Sequence, residues 1–258
     1  VLFTTPAAGS VEDIHFGERR RIESITVRVA ENDEVVLFDP YSLEQISTLD
    51  SEKVTEILCK SGLWPSLRRR PFSKIAIPNT FPKSIFISTM STAPFAANLE
   101  VVLEQTKQEI IQAGVDVLKF LTKGSINMVS PQNLSNTKLA DLNNVQQHTY
   151  SGPHPAGNIG VHVSQIDPIK NKEDSIWYIS IQDLISIGKL FLTGKVDYRK
   201  IITVAGSSVL EKQHYSVNRG TLISQILSNN KVEVDARIIS GDILTGSISY
   251  MDLSLIHI

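Results

Sequence analysis

Lys83-Ser-Ile-Phe-Ile-Ser88 and, one helical pattern later, Ile126-Asn-Met-Val129 decide the fold class. Each is a short apolar run of the kind that forms a strand buried on both faces. Between them Leu99, Val102, Leu103, Thr106, Ile110, Ala113, Val117 and Phe120 recur at three- and four-residue intervals, the spacing of one helix face. Strand, helix and strand in that order predict a βαβ unit with a parallel sheet and a right-handed crossover. Ligands on such sheets sit at the carboxyl ends of the strands.

Working outward, Ile176-Trp-Tyr-Ile-Ser180 reads as a strand, Gln182–Phe191 as a helix and Lys200–Ala205 as another strand. This second passage is expected to complete an α/β middle domain over residues 41–206. Upstream, Ser51–Lys60 sets Val54, Ile57 and Leu58 on one helical face, with Ser51 as N-cap and Gly62 as the stop. Residues 1–38 read as β structure, with short runs at Val1–Thr4, Gly9–Ile14 and Ile22–Val29. Residues 207–258 read as a small α+β module. It has a helix over Arg219–Leu227 capped by Thr221, and strands at Val232–Ile239 and Ser247–Tyr250. The fold class expected is therefore α/β plus α+β, in several domains. A start at Val1 and an end at Ile258 without a closing element lead us to expect a piece of a longer protein.

Composition narrows the function classes. A net charge of −2 gives no basic field of the kind that nucleic-acid binding needs, so no nucleic-acid partner is expected. Cys59 is the single cysteine, which excludes an internal disulfide and a four-cysteine metal or iron–sulfur site within these residues. The most apolar window, Ile176–Leu192, is interrupted by Gln182, Asp183 and Lys189 and does not read as a spanning helix. Thr89-Met-Ser-Thr-Ala-Pro94, after the first strand, contains no glycine. Gly152 and Gly157 have phosphate-loop spacing, but Asn158 stands where a lysine is needed. No dinucleotide or triphosphate site is expected.

Chemistry concentrates in Ser151-Gly-Pro-His-Pro-Ala-Gly-Asn-Ile-Gly-Val-His-Val163. Pro153 and Pro155 bar a continuous helix, and the segment is expected to be a shaped loop. Gly157 permits close approach to the backbone, and His154 and His162 can exchange hydrogen bonds near neutral pH. The segment reads either as an ordered turn whose histidines bond to nearby backbone or as a loop that contacts a ligand. Arg68, Arg69 and Arg70, between Pro65 and Pro71, form the densest cationic spot, which suits either an anion or a salt-bridged junction.

The same loop closely resembles a motif of the A subunits of the bacterial sodium-translocating NADH:quinone oxidoreductases. Phe3–Gly9, Gly62-Leu-Trp-Pro65 with Arg70-Pro-Phe72, Thr92-Ala-Pro94, Ile187–Gly194 and Arg237–Gly241 resemble that family too, in order along the chain. The resemblance implies a partial barrel-sandwich (lipoyl-like) region over residues 1–40, a Rossmann-like domain over 41–206 and a β-grasp module of the soluble-ligand-binding type over 207–258. It implies a complex that oxidises NADH, reduces ubiquinone and moves sodium, with flavins and iron–sulfur held by partner subunits and none by this chain. It also implies a peripheral position on the cytoplasmic face of the inner membrane, against a membrane subunit. His154, His162 and Gly157 are the expected quinone contacts, and Arg68–Arg70 an anion or interface site. The alternatives are a docking subunit with a decayed nucleotide site, or small-ligand binding between Arg219 and Gly246. Gly206-Ser-Ser-Val209 departs from the family, which has a Gly-Pro pair there.

Overall fold

An antiparallel ribbon opens the chain in the computed structural model, which describes residues 3–5, 7–31, 34–134, 137–228, 230 and 236–254. Strand β1 (Gly9–Phe16) pairs with β2 (Ile22–Val29). Register shifts between Val11 and Asp13 and between His15 and Phe16 let Val11, Ile14 and Phe16 oppose Val27, Ile25 and Ile22. The ribbon thus has an apolar face. Its other face is polar, with Arg28 paired to Glu12. Phe3–Thr5 are not in a strand, and the rest of the strand expected at the start lies outside the described residues.

Helices α1 (Leu43–Ile46) and α2 (Ser51–Lys60) follow. The cap of α2 is Asp50, whose carboxylate accepts the Lys53 N–H at 2.7 Å, and Ser51 is the first helical residue. A carboxylate at that position meets both the orphan N–H groups and the positive end of the helix dipole. Gly62 takes φ +71 just past the helix end, as expected of a stop.

Strands β3 (Arg68–Arg70), β4 (Lys74–Ile75) and β5 (Ser84–Ser88) come next. The single long helix expected after β5 is two, α3 (Leu99–Glu104) and α4 (Gln108–Lys119). Lys138 explains the break. Its ammonium donates to the carbonyls of Leu103 at 2.7 Å and Glu104 at 3.3 Å, closing the C-terminus of α3. Then come β6 (Ile126–Pro131), β7 (Gln146–Tyr150), α5 (Ile159–Ile166), β8 (Ile176–Ser180) and α6 (Ile181–Thr193). β7 lies in what reads as a polar surface connection. It is an edge strand of Gln, His, Thr and Tyr, so no apolar run marks it.

The main sheet has the order β4-β3-β8-β5-β6-β7, with β8, β5, β6 and β7 mutually parallel and β3 antiparallel to β8. The chain steps from β5 to β6 to β7 in one direction, then returns to lay β8 on the other side of β5. Alternation sends Ile85, Ile87, Trp177 and Ile179 into one core, beneath α2, α4 and α6. Phe86 and Ile176 enter a smaller core with Val129 and Val163, beneath α5. Trp64 is fully buried, donates its indole N–H to the Ala76 carbonyl at 2.8 Å and meets Trp177 edge to face at 5.7 Å. A buried aromatic of this kind contributes about 2 kcal/mol or more.

The last elements are β9 (Arg199–Val204), β10 (Gln213–Asn218), α7 (Ile223–Ile226), β11 (Ile238–Ser240) and β12 (Ser247–Ser249). β9 does not join the main sheet as the second βαβ passage implied. It pairs antiparallel with β10, because an antiparallel partner lies close in sequence and needs no crossover. Leu222, not Thr221, precedes α7, while the Thr221 hydroxyl donates to the Asn218 carbonyl at 2.8 Å. Val232–Asp235, read as strand, lie outside the described residues; β11 covers Ile238–Ser240. The architecture is a mixed α/β fold with several sheets and, among the described residues, no closed barrel.

Helices α4 and α6 touch backbone to backbone. A Cβ on Gly188 would lie 1.9 Å from the Ile110 carbonyl oxygen, so no larger residue fits without parting the helices. We expect Gly188→Ala to cost about 2 kcal/mol of unfolding free energy, read as a lower denaturant midpoint at unchanged slope. An unchanged midpoint would mean that the helices do not approach this closely.

Candidate functional site

The reversal of strand order at β5 leaves a crevice where the loops after β5 and β8 part company. Open parallel sheets bind ligands at such a point. A cleft of about 1010 Å³ occupies it, lined by the loop after β5, the start of α6, β9 and the 236–243 segment.

Each wall has a local cause. Past β5 the Thr89 hydroxyl donates to the Val129 carbonyl at 2.8 Å, tying the loop to β6. Ala93-Pro94-Phe95-Ala96 then closes a turn, the Ala96 N–H donating to the Ala93 carbonyl at 3.2 Å. Pro94 holds the second position, which it suits, and Phe95 the third at φ +59, where glycine or asparagine is usual. A bulky side chain there costs about 1 kcal/mol or more. Asn98 caps α3, accepting the Glu100 N–H at 2.9 Å, and its own N–H donates to His214 Nε2 at 3.0 Å. His214, on β10, therefore ties the second ribbon to the first residues of α3.

At the end of β8, Ser180 accepts the Asp183 N–H at 3.2 Å, starting α6. Gln182 then acts as a substitute strand. Its amide accepts the Ile201 N–H at 2.8 Å and donates to the Ile201 carbonyl at 3.0 Å, fastening β9 against α6. Beside it Lys200 Nζ meets Asp183 Oδ1 at 2.6 Å. Burial pushes the Asp183 carboxyl up, but Lys200, Ser180 and Arg219 outweigh it and hold the group below its ordinary range. Lys200 and Asp183 beside the cleft are thus paired within the protein. Among the described residues no cluster of three or more His, Cys, Asp or Glu side chains could hold a metal ion.

The expected loop behaves as a support for this cleft. Gly157 N–H donates to Thr92 Oγ1 at 2.9 Å, and a Cβ on Gly157 would lie 2.6 Å from the Thr92 nitrogen. His154 Nδ1 stands 3.3 Å from the same hydroxyl. The Thr92 hydroxyl keeps a lone pair and its O–H after accepting from Gly157, so either tautomer of the exposed His154 fits this contact. The prolines bar helix only as far as Asn158, and α5 starts directly after it. His162 therefore lies inside α5 and is fully buried, its Nε2 donating to the Ala156 carbonyl at 2.7 Å and its ring 4.9 Å from that of Tyr150.

The arginine triplet forms strand β3, and alternation divides it. Arg68 and Arg70 stand opposite Tyr178 and Ile176, whereas Arg69 stands opposite Trp177 on the other face. Arg68 lines the cleft, with its Nε given to the Ser73 carbonyl at 3.0 Å. Arg70 reaches the first turn of α5, where a side chain at Gly160 would meet its Nη2 at 3.1 Å. Sequence reasoning missed Phe95, Gln182, Lys200 and His214; Pro94, as a turn former, was the one local signal near any of them.

The family model described as the NqrA second alpha/beta domain matches residues 49–196, and that of the NQRA C-terminal domain matches residues 201–250. The chain belongs to the NqrA family. A relative from Haemophilus influenzae, named as the A subunit of a Na(+)-translocating NADH-quinone reductase, is 39% identical over 249 residues, 96% of this chain and 55% of its own length. One of the same name from Pasteurella multocida is 37% identical over 247 residues, 96% of this chain and 54% of its own length. The chain thus spans about half the length of the curated NqrA relatives it matches. A chain of an NAD+-reducing nickel–iron hydrogenase aligns with TM-score 0.49 and 12% identity over 81% of this chain and 47% of its own, a likeness that decides nothing here. The family resemblance read from the loop and its flanking motifs holds.

In this NqrA-family fold, burial lowers the His162 pKa, only partly offset by the Ala156 carbonyl. A neutral histidine that the unfolded chain protonates near pH 6.5 favours the folded state above that pH and penalises it below. Unfolding free energy should therefore fall between about pH 7 and pH 5, and His162→Gln should flatten that fall. Parallel profiles for the two proteins would exclude His162 as its source.

Proposed function

We propose that this chain is part of the A subunit of a sodium-translocating NADH:ubiquinone oxidoreductase and binds the ubiquinone ring in the switch-point cleft. One observation carries the reading: the cleft is large, has apolar walls at Ala93, Pro94 and Ile239, and holds polar groups such as Arg68 and the Lys200–Asp183 pair at its border. Such a site suits a planar ligand with carbonyl acceptors, and the Asp183 carboxylate already occupies the start of α6 that a phosphate would use. His154 stands 3.3 Å from Thr92, whose neighbours Ser91 and Ala93 line the cleft, and in the Nε2–H tautomer it would offer that N–H to a quinone oxygen at the rim. Gly157 and His162 position that loop, His162 through Ala156. NADH, flavins and iron–sulfur belong to the complex and its other subunits in this reading.

Further features of the reading follow the family. The order β7-β6-β5-β8 is that of a Rossmann-type half sheet and supports a Rossmann-like domain over residues 41–206. Residues 1–40 would be a partial barrel-sandwich, and residues 207–258 a β-grasp module. The chain would sit peripherally on the cytoplasmic face of the membrane, against a membrane subunit; no helix among the described residues is long and apolar enough to cross.

The test is made in the assembled complex, with this subunit at full length. Ala205→Trp, which fills the cleft, should raise KM for ubiquinone-1 by about tenfold and leave NADH oxidation by ferricyanide unchanged. An unaltered KM would overturn the cleft as the quinone site.

A docking role is the second reading, favoured by the β1–β2 ribbon. Phe16, Ile22 and Ile25 on its apolar face are 54%, 52% and 52% exposed, and a face of this kind needs a cover. On that reading Ile25→Asp lowers the share of the protein retained on washed membranes; full retention would remove the ribbon from the interface.

A further inference from the structure

Phe95 is held against its own preference. The turn Ala93–Ala96 would form without strain if glycine stood at its third position, yet a phenylalanine occupies it at φ +59. Packing does not repay that cost, because the side chain is 62% exposed. The ring nonetheless lines the cleft, on the loop that leaves β5 at the switch point. Pro94 before it fixes one backbone angle and the hydrogen bond across the turn closes it, so the Cα–Cβ bond of Phe95 leaves the turn in a fixed direction. Strain kept at a cleft, on a turn closed by a hydrogen bond, with an apolar ring left bare, fits a group whose partner is a ligand.

From these observations we propose that Phe95 is the stacking platform of the cleft and selects for a planar, conjugated ring. The proposal rests on the cleft being the quinone site and adds the residue that sets its ring specificity. A quinonoid ring laid on Phe95 removes the facing side of each ring from water and gains the offset stacking that a saturated or branched side chain cannot supply. The polar groups of the cleft then act on the ring edge, where the carbonyl oxygens are. Phe72, at φ +76 and 81% exposed, shares the strain and exposure, but only Phe95 of the two lines the cleft.

Three variants of the full-length protein test it, measured by ubiquinone-1 reduction in the assembled complex and by thermal unfolding of the isolated polypeptide. Phe95→Leu keeps bulk and loses stacking, and should raise KM for ubiquinone-1 by about tenfold with kcat little changed. Phe95→Tyr should keep KM within about twofold. Phe95→Gly relieves the backbone, and should raise the unfolding temperature while raising KM as much as leucine does. That opposition of stability and affinity is what a merely structural role cannot produce. If leucine and glycine leave KM at the wild-type value while Ala205→Trp raises it, the cleft stands and the platform falls. If Ala205→Trp is also silent, the quinone site itself lies elsewhere and the proposal falls with it. A loss of complex assembly with unchanged KM in the fraction that assembles would assign Phe95 to an interface, and would equally overturn it.

Discussion

The backbone ladder between β5 and β8 is the constraint on which the rest depends. Residues Ser84–Ser88 and Ile176–Ser180 pair in parallel although some ninety positions separate them, and that pairing is what reverses the strand order. Parallel neighbours require the intervening chain to cross over the sheet, so α3 and α4 cover one face and α5 the other. The two strands end together at Ser88 and Ser180. The chain leaves them in different directions, and the cleft is the space between. A site there is a consequence of topology before any side chain is chosen.

Side chains then decide what kind of site it is. Gln182 hydrogen-bonds both backbone groups of Ile201, so the second ribbon is joined to α6 by an amide standing in for a strand. His214 makes the matching tie to the start of α3. These contacts close the cleft on the side that the main sheet leaves open. The Lys200–Asp183 pair neutralises charge at the same place, and the first turn of α6 already holds a carboxylate. Helix N-termini in nucleotide-binding sheets are kept free for phosphate. The missing glycines after β5 and the occupied end of α6 agree on this point independently.

The loop over residues 151–158 shows how a conspicuous segment can act at one remove. Its prolines and glycines shape a turn that packs on Thr92, and a β-carbon at Gly157 would strike that backbone. His162, which reads as a ligand contact, is a buried neutral group that holds Ala156 in place. Its other ring nitrogen, Nδ1, is buried without a partner among the described residues. A helix starting at Ile159 turned it inward, since Asn158 ends the stretch that the prolines govern.

Period and composition were enough to find β5, β6, β8, α2 and α6, because buried apolar runs and helical spacing are local properties of the chain. The family was legible for the same reason, from strings of residues such as Gly62–Pro65 and Ser151–Val163. What the chain by itself left open was partnership. Arg68–Arg70 became a strand only because Ile176–Tyr178 offered an edge, and alternation then sent its arginines to opposite faces. Gln146–Tyr150 became one because β6 offered another. Lys200–Ala205 has the apolar character of a sheet strand, yet β9 pairs with its neighbour β10 and leaves the cleft between ribbon and sheet. Phe95, Gln182, Lys200 and His214 come together from four separated segments. Their proximity follows from the paths of the backbone, which a one-dimensional pattern of apolar and polar residues does not encode.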